Sequence, residues 1–304
     1  MSLLINGIDA YLSYGVSIRK GGLNALINFP SIKPVEVNDW HEEDGEEVDL
    51  SEIKLESKAI DIHFILDRMR GKLNDFLSML SNEPYSTFSI AGRSYKLRMV
   101  DNPDLTLFNE FGLFSISFVD DFPISEDYVY SAPSSTISVS NQNVYKIDGR
   151  SLSEYGVVVL KGYSEVRRLP SVKLNQRTDV LVINGLIYDE EGEVKYNAKD
   201  VQLECLMRAN SASEFWRNYD ALLYDLTQPE ERILYVEATG VEYPCYYKSC
   251  STMEFFRDSG VWWRFNLTLR FTSFTIDGKE YLLASESGHI IITENGFAID
   301  LNIN

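Results

Sequence analysis

A series of short motifs in the first half of this chain recurs in the second half, in the same order and at nearly constant spacing. Ile5-Asn6-Gly7 is followed by Tyr14-Gly15-Val16 and then Pro30-Ser31-Ile32-Lys33. Ile147-Asp148-Gly149 is followed by Tyr155-Gly156-Val157 and then Pro170-Ser171-Val172-Lys173. By subtraction (147−5, 155−14, 170−30) the separations are 142, 141 and 140 residues. A repeat of this length constrains the fold more than any local propensity, because both copies must close a core on one plan. The downstream parts keep the order. Each half has an acidic turn, Glu43-Asp44-Gly45-Glu46-Glu47-Val48 and Glu190-Glu191-Gly192-Glu193-Val194. Glycine among acidic residues suits a tight hairpin tip, since it takes positive φ freely. An alternating strand follows, Ile60-Asp61-Ile62-His63-Phe64 and Val201-Gln202-Leu203-Glu204-Cys205. Period two marks a sheet with one buried and one wet face.

One amphipathic helix is expected next in each half. Met69, Leu73, Phe76, Leu77 and Leu80 have the same spacing as Phe215, Tyr219, Leu222, Leu223 and Leu226, which is one apolar stripe. Ser211-Ala212-Ser213-Glu214 reads as a capping box, and Pro84 and Pro229 stand where each helix should have ended. Strands close both halves: 85–90, 95–100 and 113–119 in the first, 232–237, 246–249 and 263–271 in the second. The polar run Ser131–Thr136 reads as part of a linker. The turn signals Asp277-Gly278, Ser287-Gly288 and Asn295-Gly296 point to short strands near the end. The expected organisation is a first domain over 1–125, a linker over 126–144, a second domain over 145–274 and a C-terminal β appendage over 275–304. Each domain is a β-rich α+β unit, an antiparallel sandwich or half-barrel with one packed helix.

A formal charge of −18 argues against nucleic-acid binding and against docking on anionic membranes, both of which need clustered Lys and Arg. The opening Met1-Ser2-Leu3-Leu4 has no basic run and does not read as a secretory signal. Three cysteines, Cys205, Cys245 and Cys250, give no disulfide framework and read as reduced thiols.

No catalytic constellation is legible. His41, His63 and His289 lie far apart in sequence, and Cys245 and Cys250 lack the second pair that a zinc site needs. There is no nucleophile elbow, P-loop or dinucleotide fingerprint. The acidic turns lack the flanking helices of a calcium loop. The chain is therefore expected to be no enzyme and to hold no cofactor or metal. Two groups are left as candidates for assembly. One is the acidic hairpin tips: Glu43, Asp44, Glu46, Glu190, Glu191 and Glu193. The other is the adjacent aromatic pairs Tyr246-Tyr247 and Trp262-Trp263, each expected to turn one ring outward to fill an interface or stack on a sugar.

The order Ile-Asn-Gly, Tyr-Gly-Val, long hairpin, helix, closing strands resembles the tail-tube fold of phage tails. The opening Ile5–Asp9 with Tyr14-Gly15-Val16 is similar to the N-terminal domain of siphophage distal tail proteins. The repetition of the unit resembles the two-tube-domain hub proteins of contractile baseplates. The resemblance covers 1–125 and, more weakly, 145–274. It implies a structural ring protein of a virion tail, assembled in the bacterial host cytoplasm. Its partners would be copies of itself, as a pseudo-hexameric trimer or a hexamer, and adjacent tail or baseplate proteins. DNA would pass through the ring without being bound, and no membrane would be involved. The hairpins at about 31–55 and 171–196 would reach a neighbouring subunit or ring. Two alternatives remain: a carbohydrate-binding or adhesive module at the tail tip, and a tube or hub part of a contractile injection system.

Overall fold

The computed structural model describes residues 3–90, 92–101, 105–124, 128–137, 144–173, 177–179, 184, 186–188, 193–257 and 260–274. The expected appendage over 275–304 lies outside the described residues.

The fold is rich in antiparallel strands. The first half holds β1 (Leu4–Ile5), β2 (Ile8–Asp9), β3 (Val16–Ile18), β4 (Val37–Asn38), β5 (Glu47–Val48), β6 (Lys58–Asp67), β7 (Ser86–Ile90), β8 (Arg93–Met99), β9 (Leu105–Leu107) and β10 (Phe111–Asp120). Its main sheet runs β2-β1-β7-β8-β10-β6-β3, with β9 also paired to β10. The second half holds β11 (Tyr145–Ile147), β12 (Arg150–Ser151), β13 (Val157–Lys161), β14 (Arg177–Asp179), β15 (Leu186–Tyr188), β16 (Lys199–Ala209), β17 (Arg232–Val236), β18 (Val241–Arg257) and β19 (Val261–Phe271). Its main sheet runs β12-β11-β17-β18-β19-β16-β13. The two orders match strand for strand, and the β4–β5 and β14–β15 hairpins stand apart from both sheets. Alternation sets the buried faces. Along β6, Ile60, Ile62, Phe64 and Leu66 point inward, while Ala59, Asp61 and His63 are exposed.

Local hydrogen bonds repeat between the halves. Asn6-Gly7 and Asp148-Gly149 both take positive φ (51° and 79°, 50° and 80°). Short polar side chains tolerate this region and glycine prefers it. Asn6 Oδ1 accepts from the Thr87 amide and Asp148 Oδ1 from the Ile233 amide, each at 2.8 Å. Asp9 caps α1 (Ala10–Tyr14), and Ser151 caps a 3-10 turn over Leu152–Tyr155. The short helices α2 (Asn24–Ile27) and α4 (Tyr163–Arg167) were not legible in the sequence. Each ends against a lysine that opens a long strand. Lys58 Nζ donates to the carbonyls of Leu26 and Asn28, at 2.7 and 3.1 Å. Lys199 Nζ donates to those of Glu165, Val166 and Arg168. An ammonium at a helix C-terminus satisfies carbonyls that lack an intrahelical partner.

The long helices differ more than their matched stripes suggest. The first, α3, spans only Leu73–Ser81, and Met69 is 92% exposed in the preceding turn. Asp67 causes this, because its carboxylate accepts from the Met69 amide at 2.9 Å and turns the chain. Gly71 then lies against the Asp67 carbonyl and the Leu66 side chain, where a Cβ would clash. The second, α5, spans Ala212–Leu226. Ser211 Oγ accepts from the Glu214 amide at 3.1 Å, as a capping serine does. The Glu214 carboxylate reaches back to the Asn210 amide and to Thr136, so the box closes one residue early.

The hairpins also depart from expectation. β4 and β5 pair Val37 with Val48, leaving an open loop over 39–46 in place of a tight Asp-Gly turn. β14 and β15 pair Arg177 with Tyr188. Glu190 and Glu191 lie outside the described residues.

Burial pushes both clamping lysines down to about 8 from an ordinary 10.5. The unfolded chain therefore holds more protons between those values. The stability these lysines contribute is complete above 10.5 and is lost as the pH falls through about 8. We expect the melting temperature to gain a component that rises with pH above about 8. This component should shrink in Lys58→Met and Lys199→Met. Identical pH profiles for wild type and variants would show that the lysines are not desolvated.

Candidate functional site: the seam between the two sheets

The elements that leave the first sheet lie along the second. After α2 the chain delivers Phe29, 2% exposed, into the aromatic core of the other half. Its ring centroid is 4.5 Å from that of Tyr219 and 5.0 Å from that of Trp263, with Tyr247 and Phe265 farther out. Edge-to-face contacts of this kind add to the area buried. The polar groups beside the ring are satisfied across the seam. Tyr219 donates its hydroxyl to the carbonyls of Ile27 and Asn28, at 3.1 and 3.2 Å, and Tyr247 donates to that of Pro30 at 2.9 Å. The Thr252 amide donates to Asn28 Oδ1 at 2.6 Å. Burial raises both tyrosine hydroxyls well above their usual range. They therefore stay protonated, as donors to carbonyls must.

The loop over 39–46 continues the seam. Lys173 Nζ, in a side chain only 2% exposed, meets Asp39 at 2.6 Å and the carbonyls of Trp40 and Gly45 at 2.7 and 2.6 Å. Asp44 Oδ1 accepts from the Tyr196 amide at 2.7 Å. Glu46 forms a fork with Arg270, at 2.9 Å to Nε and 2.7 Å to Nη2. Paired donors on one carboxylate fix geometry as well as charge. Gly45 sits at φ +76°, and a Cβ there would lie 1.7 Å from the Thr272 carbonyl oxygen, so only glycine allows this approach.

A third contact joins the β7–β8 turn to α5. Arg93 pairs with Asp220 at 2.7 Å and lies 4.9 Å from the centre of the Trp216 ring. A cavity of about 250 Å³ opens beside the pair, walled by Ile124, Trp216, Leu223 and Tyr224. Arg93 and Asp220 are bonded to each other, and Tyr128 adds a buried hydroxyl to the aromatic walls. The polar segment read as a linker also binds α5. The Ser134 amide donates to Asn218 Oδ1 at 3.0 Å, the Thr136 amide donates to Glu214 at 2.7 Å, and the Tyr130 hydroxyl meets Asp225 at 3.1 Å.

These placements revise the expected roles of the candidate residues. Glu43 remains exposed, and Glu193 pairs with Lys195 at 2.8 Å on the surface. Asp44 and Glu46, expected at a solvated tip, are bonded within the chain. The tyrosine pair turns neither ring outward, whereas Trp262 stays half-buried beside the exposed Phe256. Tyr246 is 6% exposed, Tyr247 and Trp263 are fully buried, and Trp262 lies between Arg208, 3.9 Å from its ring centre, and Phe256. Both tyrosines are covered because the first half's hairpin lies over the face that the alternation of β18 would otherwise turn outward. The three cysteines are free and buried, and burial drives their thiols up, Cys250 to about 12. Among the described residues no three His, Cys, Asp or Glu side chains gather to hold a metal, and no helix is long and apolar enough to cross a membrane.

No protein-family model matches the chain, and no curated protein matches it. Among solved structures it is similar to the SPP1 Dit (gp 19.1) protein, described as a paradigm of the hub adsorption apparatus in phages infecting Gram-positive bacteria. The likeness covers 42% of this chain and 49% of that one, at 12% identity and a TM-score of 0.33. The chain thus spans about half the length of that protein. A likeness this slight carries no functional argument, and the seam has to be read on its own geometry.

Truncating a fully buried aromatic ring costs ~3–5 kcal/mol. We expect Phe29→Ala to lower the unfolding free energy by about that amount in a urea titration. The second half's near-ultraviolet circular dichroism should weaken with it, because four of its rings pack on Phe29. A loss below ~0.5 kcal/mol, the range of ordinary surface changes, would show that the second core closes without the wedge.

Proposed function

We propose that this chain is a structural ring protein of a phage or prophage tail, of the distal-tail or hub kind, and that it is not an enzyme. Its two halves are a tandem duplication of one sheet-plus-helix unit, over 1–125 and 145–274. The observation that carries this reading is the single strand order found twice in one chain, each time ending in short edge strands whose outer side has no partner among the described residues: β2 and β3, then β12 and β13. Unpaired edges are templates for further pairing, and a closed ring removes them. The tail-tube motif order read from the sequence supports the same assignment.

In the assembly we propose, three chains place six halves around one channel. Six chains in two stacked rings are the alternative stoichiometry. With a net charge of −18, phosphate backbones meet repulsion and not a binding site, so DNA passes through the ring without being held. Adjacent tail proteins would stack above and below.

Negative-stain electron microscopy of concentrated protein should show annular particles with a central hole. Native mass spectrometry should then separate the trimer from the hexamer. Open filaments, or a monomer at every attainable concentration, would count against the reading, and so would tight retention of duplex DNA at low salt.

A further inference from the structure

The seam joins unlike parts of a repeated unit, so each of its contacts has a counterpart position elsewhere on the chain. Counterparts follow from strand register. Phe114 pairs with Phe64 as Phe265 pairs with Cys205, and Gly112 pairs with Leu66 as Trp263 pairs with Met207. Leu105 faces Phe114 as Thr252 faces Phe265, and Met99 faces Phe118 as Tyr247 faces Leu269.

The counterpart of Phe29, the wedge, is Leu169: each is the residue before a Pro-Ser-(Ile/Val)-Lys run. The backbone presents both in the same way. The preceding residues, Asn28 and Arg168, have φ/ψ of −56°/144° and −58°/129°. Their carbonyls are held by the corresponding lysines, Lys58 and Lys199. Only one of the two has a seat. Phe29 is 2% exposed and Leu169 is 51% exposed.

The counterpart of the seat, on the first half, is covered only by two leucine side chains that themselves stay exposed. Where Trp263 packs on Phe29, the first half has Gly112, roofed by the side-chain ends of Leu105 and Leu107 at 3.1 and 3.2 Å from a Cβ built there. Those leucines are 37% and 55% exposed. Leu73 and Met99, in the places of Tyr219 and Tyr247, are only partly buried. Lys33, the counterpart of the enclosed Lys173, is exposed.

We propose that Leu169 of one copy of this chain docks on the first half of a second copy, over Gly112 and among Leu73, Met99 and Leu105, repeating between chains the contact that Phe29 makes within one. The occupant is a second copy because the wedge that has such a seat within the chain belongs to the same repeated unit. The contact is heterologous, since one surface meets a different one, and such contacts propagate until rotation closes them into a ring. This inference rests on the ring reading and adds to it the residues that join the copies.

The test mixes two variants, each with one added surface cysteine, Leu169→Cys and Leu105→Cys, under mild oxidation. Both positions are exposed, so both variants should melt as the wild type does, and the three native thiols are too buried to interfere. The expected result is a disulfide-linked dimer carrying one chain of each kind, several-fold above what either variant gives alone. Leu169→Asp should in parallel lose the oligomer in sedimentation velocity and remain a folded monomer. A mixed dimer no more abundant than the self-linked ones overturns the inference. If the wild type then still sediments as a closed oligomer and Leu169→Asp does too, the ring reading survives on another surface. If the wild type stays monomeric as well, both fall.

Discussion

The second half of this protein does not close its own core. Trp263, Tyr219, Phe265 and Tyr247 surround a space filled by Phe29, which belongs to the other half. Without that ring the four would border a void. A void in a close-packed interior forfeits dispersion contacts on every wall. The hydrogen bonds at the seam follow from this insertion. Once α2 is held against α5, the carbonyls of Ile27, Asn28 and Pro30 leave water, and the tyrosine hydroxyls are what satisfy them. The wedge therefore sets which polar groups must pair and where the hairpin over 31–55 can lie.

This insertion also explains why two similar helices have such different surroundings. The seam and the segment over 128–137 cover α5, which buries Phe215, Trp216, Tyr219, Leu222, Leu223 and Leu226 among others. Among the described residues nothing comparable covers α3, which buries only Phe76 and Leu80. The asymmetry does not lie in the apolar pattern, which is the same in both. It lies in which copy of the unit has a neighbour inside the chain. In a chain built from two such units, one wedge is seated and the other points outward.

This difference also marks how far the sequence could be read. Strand alternation along β6, β10 and β19 was legible because a buried face imposes period two directly on residue type. The turns at Asn6-Gly7 and Asp148-Gly149 were legible because positive φ restricts the residues that fit. The seam was not. Phe29 stands in a short apolar run, Leu26-Ile27-Asn28-Phe29-Pro30, that gives no sign of which core it enters. Glu46 and Asp44 look like a solvated tip until Arg270 and Tyr196, far along the chain, come beside them. Tyr246-Tyr247 looked half exposed because alternation assigns faces to a strand but cannot say what covers the second face. Met69 matched the stripe of its helix, yet Asp67 and Gly71 stop that helix a turn short. Each miss came from a partner distant in sequence or from a side chain competing for a backbone amide. Neither leaves a periodic trace.

The charge distribution follows from the same seam. The chain has 28 basic and 46 acidic side chains. Several of the basic ones serve internal contacts. Lys58 and Lys199 cap helix ends, Lys173 is enclosed by the hairpin loop, and Arg93, Arg150 and Arg270 pair with Asp220, Asp225 and Glu46. Each ion pair ties up a cation and an anion together, so only the lysines that cap helix ends on carbonyls withdraw net positive charge. Asp220, whose carboxyl burial raises above its usual range, takes one acid from the exterior, but the surplus carboxylates stay in solvent. After these pairings the balance of 46 acidic over 28 basic side chains is still acidic. An acidic surplus of that kind repels phosphate at a distance set by ionic strength.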